Sequence, residues 1–221
     1  MIDWCPDTGP ERPQAEGARG RTERRLLALA LLGEVEARRA TTAERSRAAA
    51  DVTRALARRM GWSARSRALL YEAALMQDVG YAALPGVPLA PDAPLDPEER
   101  TLLARHPAYS AELLSGVLRP EQLGWVRHHH ERWDGAGYPA GLRGNDVPEG
   151  ASLILLGAAW TAMTSDAAGR PGLSAAEALR ECRVQAGRQF RPSAVAALMG
   201  LTRPRRASGG GAADGAVRIA C

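Results

Sequence analysis

Apolar residues recur along this chain at helical spacing. Leu26, Leu27, Leu29, Ala30 and Leu32 form a broad apolar band with Arg24, Arg25, Glu34 and Glu36 outside it, which predicts a helix over residues 21–40 with a buried face. The next periodic stretch, 43–60, puts Ala48, Val52, Leu56 and Met60 on one face and stops at Gly61. Thr41 stands three residues before Glu44, the spacing of a capping box. A further helix is predicted over 64–77. Residues 79–97 hold five prolines and are expected to form an irregular loop. Asp96, Pro97 and Glu99 then mark a helix start: the Asp caps, the Pro takes the first turn and the Glu completes the box. Pro107 and Pro120 mark two more. A turn-rich segment spans 132–149, helix resumes over 150–165, Ser174 and Glu177 form another box, and Pro192 opens a last short helix. No run alternates with period two. The predicted fold class is all-α, several short helices in one bundle.

Composition sharpens this outline. Residues 1–20 are rich in Pro, Gly and charge and read as a disordered arm, and 203–221 as a flexible Gly/Ala/Arg-rich tail. All 29 basic residues are arginine, and the net charge is +4. The arginines are interspersed with acids and not gathered in a stripe, so direct nucleic-acid binding is not expected. Cys5, Cys182 and Cys221 are far apart and form no CxxC pair, which excludes a disulfide framework and fits a reducing cytoplasm. The apolar run Leu26–Leu32 is too short to span a bilayer.

The chain has four histidines, and three of them are consecutive: His128, His129 and His130, in "VRHHHERWDGAGYP". Adjacent residues on a helix point about 100° apart, so neighbouring imidazoles share one centre only where the helix is ending. The glycines and proline that follow Trp133 predict such an end. On spacing alone, the cluster is either a solvated loop edge or a set of metal ligands.

"HHERWDGAGYP" (129–139) closely resembles the signature of the HD-GYP family. The similarity continues through "AGLRGNDVPEGASLILLGAAWTAMTSDAAGRPGLSAAEAL", and takes in "RHPAYSAELL" around His106 and "ALMQDVGYAALP" around Asp78. It covers about residues 40–200, and a domain over 41–202 is expected. The resemblance implies an all-helical bacterial phosphohydrolase acting on cyclic di-GMP, with a metal centre of His and Asp side chains. It also implies that the Gly137-Tyr138-Pro139 turn docks onto diguanylate cyclase domains.

Carried over position by position, the resemblance is incomplete. The family's first metal-binding His falls on Arg45, its HD pair on Gln77 and Asp78, the following Lys on Tyr81, and the late metal-binding Asp on Ala158. Two basic positions after "TSD" fall on Ala167 and Pro171, while Arg170 remains as a substrate contact. One metal site thereby loses three of its four donors, and a guanidinium in place of an imidazole cannot ligate a cation. The other site keeps Asp78, His106, His129 and His130, a credible set for one Zn²⁺ or Fe²⁺. Two outcomes stay open: one ion on those four residues, which their retention favours, or no ion, with Arg45 paired to Asp78.

These departures predict a degenerate HD-GYP domain, cytoplasmic, acting as a signalling or interaction module toward cyclic di-GMP or a diguanylate cyclase domain. One alternative is a mononuclear phosphodiesterase of altered substrate. Another is a regulatory domain cut off from a LuxR-type DNA-binding partner, suggested by "LTR" at 201–203. Around the cluster, Glu131 and Asp134 suit either orientation of a ligand His or turn capping. Gly135 suits turn geometry. Trp125, Trp133 and Trp160 suit core or interface packing, and Cys182 a small core hydrophobe.

Overall fold

Short capping signals set many of the helix starts in this chain. Asp96 accepts from the Glu99 backbone N–H at 2.8 Å while Glu99 reaches back to the Asp96 N–H at 2.9 Å. Ser174 and Glu177 make the same reciprocal pair. The structure is a computed structural model that describes residues 18–38, 43–84, 86, 96–166 and 171–202. Its helices are α1 (Ala18–Arg38), α2 (Ala43–Arg59), α3 (Ala64–Met76), α4 (Pro97–Leu103), α5 (His106–Leu113), α6 (Pro120–Arg127), α7 (Glu149–Thr164), α8 (Ala175–Val184) and α9 (Pro192–Thr202). Short 3-10 turns lie at Val79–Ala83 and Gly144–Asp146. No β-strand forms among the described residues, so the all-α class holds. None of the helices described is long and apolar enough to cross a membrane.

Helix α7 explains the layout. From Gly150 to Gly157 every residue is buried, as are Trp160 and Thr161. A helix apolar on all sides must be surrounded, and α2, α6, α8 and α9 pack around it. The closest approach is to α2, where Gly157 leaves no room: a Cβ there would run into the Thr53 side chain and lie 2.9 Å from the Ala49 carbonyl oxygen. This contact brings the start of α2, with Arg45, against the face of α7 that carries Ala158. On the other side, α5 packs against the Val79–Ala83 turn and α6, and α1 lies over the same turn.

Some expectations need adjusting. The helix expected over 21–40 begins at Ala18 and ends at Arg38. Its apolar band is wider than its buried face: Ala28, Leu32 and Val35 are buried, whereas Leu26 and Leu27 are about 60% exposed. Residues three and four apart share a helix side, so the 28/32/35 stripe faces the body, with Leu31 packed beside it. In α2, Ala48 is exposed, and Ala49, Ala50, Thr53 and Ala57 join Val52 and Leu56 inside. The proline-rich stretch is regular at its start, where Val79–Ala83 forms the 3-10 turn; 85 and 87–95 lie outside the described residues. So do most of the expected arm (1–17), the capping Thr41, the tail from 203, and Ala167 and Arg170. Pro171 is described and exposed. Trp125 and Trp160 sit in the core, Cys182 is fully buried, and its thiol is pushed up to about 12 by burial, unsuited to thiolate chemistry.

Candidate metal centre

Helix α6 ends at Arg127, and His128 leaves helical geometry with φ −109° and ψ 16°. That break lets two adjacent histidines turn the same way. His129 is 1% exposed, and its ring centre lies 4.2 Å from that of His130. His128 turns elsewhere, with Nδ1 3.6 Å from Glu131 Oε1. His106, at the start of α5, is fully buried. Its Nε2 lies 3.2 Å from His129 Nε2 and 3.3 Å from Asp78 Oδ1, and His129 Nε2 lies 3.6 Å from that same oxygen. One donor atom from each of Asp78, His106, His129 and His130 falls within 4.8 Å of all the others.

The hydrogen bonds behind the rings decide which nitrogens are bare. His106 Nδ1 is 2.8 Å from the Leu103 carbonyl oxygen, and His129 Nδ1 is 2.6 Å from that of Val126. A carbonyl only accepts, so both Nδ1 atoms carry the proton and donate it. With both rings neutral, two unprotonated Nε2 atoms would face one another 3.2 Å apart beside a carboxylate. That arrangement is repulsive unless a cation lies between. Burial pushes the His106 pKa down, with the Asp78 hydrogen bond opposing it. Spacings of 3.2–3.6 Å match donors around one tetrahedral ion, about 3.4 Å apart for bonds of about 2.1 Å. The residues therefore fit a metal ion, and the backbone carbonyls supply the outer contacts that fix ligand histidines.

Two contacts lock the centre together. Ser110 on α5 donates through Oγ to the Gln77 carbonyl at 2.6 Å and accepts from the Gly80 N–H at 2.8 Å. The turn holding Asp78 is thereby fastened to the helix holding His106. Gly80 allows this approach, because a Cβ there would collide with the His106 carbonyl oxygen and Ser110. Ser110→Ala leaves a buried N–H and carbonyl unpaired and is expected to cost about 1–3 kcal/mol, read as a lowered denaturant midpoint, together with weaker metal binding.

Aromatic rings back the cluster on two sides. Tyr81, where the resemblance calls for lysine, is 5% exposed and stacks on His106 at 4.0 Å. Tyr138 stacks on His130 at 4.8 Å. Gly137 allows the turn to fold under His130: a Cβ there would collide with the Arg132 N–H and crowd the His130 carbonyl. Pro139 is exposed. Buried Glu131 accepts from the Ala140 and Leu142 N–H groups at 2.6 and 3.0 Å, bracing the turn. Asp134 pairs with Arg132 through both oxygens, at 3.0 and 2.7 Å, and the Arg132 hydrogen bond holds its carboxyl down to about 2. Both acids thus cap the turn and do not orient His129 or His130 in any contact described. Because the folded pKa of Asp134 lies below its ordinary 3.8, its contribution is complete above that value and is lost as pH falls through about 2. Asp134→Asn is expected to flatten acid unfolding in that window, followed by circular dichroism, by a small amount given its partial exposure. Trp133 packs under the Arg191 guanidinium, 4.6 Å from its ring centre, which ties the turn to the segment before α9.

A cleft of about 360 Å³ opens beside the donors. Asp78, His129 and His130 line it, and so do Arg45, Gln77, Tyr81 and Ala158, the departures inferred from the resemblance. Residues scattered over more than a hundred positions thus meet at one place. Sequence reasoning missed Ser110, Gly80, and Leu32 and Val35 of α1, which form one wall of the cleft. Only Gly80, directly after the "QDV" turn, carried a local signal.

The HD domain family profile matches residues 27–193. RpfG of Xanthomonas campestris pv. campestris, a cyclic di-GMP phosphodiesterase response regulator, is 32% identical over 209 residues, 85% of this chain and 55% of RpfG. A cyclic di-GMP phosphodiesterase of Vibrio cholerae is 31% identical over 143 residues, 60% of this chain and 29% of that protein. The chain spans about half the length of RpfG and less of the Vibrio protein. Among solved structures, Bd1817, a HDG"Y"P protein from Bdellovibrio bacteriovorus, superposes with a TM-score of 0.61 at 19% identity, over 82% of this chain and 64% of that one. That likeness shows the shared fold. Motif, helix order and donor cluster agree: the chain belongs to the HD domain family, as a member of its HD-GYP group.

Proposed function

We propose that this domain holds one metal ion on Asp78, His106, His129 and His130, binds cyclic di-GMP or a related cyclic dinucleotide, and turns it over weakly or not at all. Acting in the cytoplasm, it would serve as a signalling module. The observation that carries this reading is the composition of the cleft. An intact donor quartet lies beside Arg45, Gln77 and Ala158, where the family resemblance calls for three further donors. When bound, an ion of the Zn²⁺ or Fe²⁺ type supplies Lewis acidity and lowers the pKa of a coordinated water. The chain's own residues do the rest. His106 and His129 donate through Nδ1 to their carbonyls and so direct Nε2 toward the ion, Asp78 adds negative charge, and Arg45 brings a cation to the wall of the cleft. A hydrolytic site for phosphodiesters needs charge stabilisation at both the attacking and leaving oxygens, and each missing contact of this type costs about 10²–10³ in rate. Tyr81 in place of lysine removes one more.

A second reading, a mononuclear phosphodiesterase, is favoured by the quartet alone, provided the ion expands to five-coordinate and takes a water beside three imidazoles and a carboxylate. Tyr138 stacks on His130 yet is part-exposed beside exposed Pro139, so the 137–139 turn can offer a surface to a diguanylate cyclase domain while supporting the centre. Elemental analysis, calorimetric titration with cyclic di-GMP, and turnover of bis(p-nitrophenyl) phosphate test the proposal together. About one ion per chain, with binding and no turnover, is the expected result. Metal-dependent turnover lost in His129→Ala establishes the enzyme instead. Absence of both metal and binding overturns the proposal.

A further inference from the structure

Helix α1 has two apolar sides, and among the described residues only one of them is covered. Ala28, Leu32 and Val35 face the body and are buried. A helix turns about 100° per residue, so Leu26, Ala30, Gly33 and Ala37 lie on the side opposite that stripe, with Leu29 beside them. All five are exposed, Leu26 to 62% and Leu29 to 42%. A Cβ added at Gly33 would meet nothing within 4 Å. Steps of four, three and four residues are those by which two helices pack along a seam. Single exposed leucines are ordinary, whereas a continuous apolar row at this spacing marks an interaction surface.

The row is self-complementary in size. An antiparallel pair centred between Leu29 and Ala30 sets Leu26 level with the partner's Gly33, Leu29 level with the partner's Ala30, and Thr22 level with the partner's Ala37. Each leucine then meets the hole left by a small residue, and a two-fold axis makes every such contact twice. A parallel pair instead sets leucine on leucine at one end and glycine on glycine at the other, a crowd and a void. Glu23 and Glu34, both exposed, give the strip a charged rim. The residues before α1 carry Met1, Ile2 and Trp4 as their large apolar side chains, too few to cover a strip about 22 Å long.

We propose that α1 pairs antiparallel with α1 of a second copy of this chain, through Leu26, Leu29, Ala30 and Gly33. The strip is one helix wide, small for a stable complex, so the pair is expected to be reversible, with a dissociation constant on the order of 10–100 µM. The other side of α1 puts Leu32 and Val35 in the wall of the cleft, so pairing braces that wall. Pairing does not depend on what the cleft binds.

Sedimentation velocity of the full chain over about 1–500 µM tests this, with a dimer expected to grow in across the range. Ala30→Glu places two carboxylates beside the two-fold axis and is expected to weaken association at least about tenfold. Its circular dichroism should match the parent, because position 30 is exposed in the single chain. Val184→Glu, at an apolar residue of α8 that is 59% exposed, should leave association as it was. Cross-linking reads the orientation, in a Cys5→Ser/Cys221→Ser background with buried Cys182 kept. Mixed Leu26→Cys and Gly33→Cys chains are expected to form a disulfide-linked dimer. Neither should link to itself, since like positions then lie about 10 Å apart along the pair, beyond the roughly 7 Å that a disulfide spans. A monomer at every concentration, association that Ala30→Glu leaves intact, or Leu26→Cys linked to itself overturns the proposal.

Discussion

Arg45→His, Gln77→His and Ala158→Asp, introduced together, are expected to raise metal content from about one ion per chain to about two and to raise turnover of bis(p-nitrophenyl) phosphate at least about 100-fold. The three positions come from α2, the end of α3 and α7, and they line one cleft with Asp78. Positions 45 and 158 line the same cleft, and α2 and α7 cross closely at Gly157. Asp78 would then be shared between two ions, the arrangement that serves attacking and leaving oxygens at once. Each single variant is expected to do little, since one donor does not make a site; the gain is non-additive. Elemental analysis and initial rates read both effects. A folded triple variant that still binds one ion, with unchanged turnover, would show that these positions do not form the missing half of the centre.

Metal should also stabilise the fold, and His129→Ala should remove that effect. An ion that binds only the native state at about 100 times its dissociation constant adds about 2.7 kcal/mol. For a domain of this size that is a rise in melting temperature of roughly 5–10 °C. In His129→Ala one of two facing Nε2 donors is gone, and the buried His106 and Asp78 keep only part of the set. The Zn²⁺-dependent rise should vanish, with cyclic di-GMP binding reduced alongside it. His128→Ala is the internal control: its ring faces Glu131, so the metal-dependent rise should persist. Scanning calorimetry with Zn²⁺ and with chelator distinguishes the two variants. An equal rise in both would mean that the ion binds elsewhere.

Much of this molecule was legible before any coordinates. Helical periodicity and local caps are written in short windows, so α4 and α8 start where their Asp96 and Ser174 boxes put them. The histidine cluster was legible too, because three imidazoles before a glycine-rich turn leave only a helix end as a place to converge. Burial was less legible. The leucines of α1 look alike in sequence, yet Leu32 is buried and Leu26 and Leu27 are exposed, since a helix contacts the body along one stripe and its rotation depends on distant partners. The roles of Glu131 and Asp134 likewise stayed open until their hydrogen bonds with the turn were in view.

The chain's local chemistry, with the resemblance its motifs carry, was enough to establish an all-helical domain of the HD-GYP kind. Helix propensity, caps and side-chain identity act over a few residues, and the linear order preserves them. Long-range packing settled the rest. It aimed two Nε2 atoms at Asp78, fastened that turn to α5 through Ser110, brought Arg45 and Ala158 together across Gly157, and left Gln77 and Thr161 unpaired beside a cleft. Those contacts join residues far apart in the chain, and a contact's partner is set by how whole helices cross, which no short window contains.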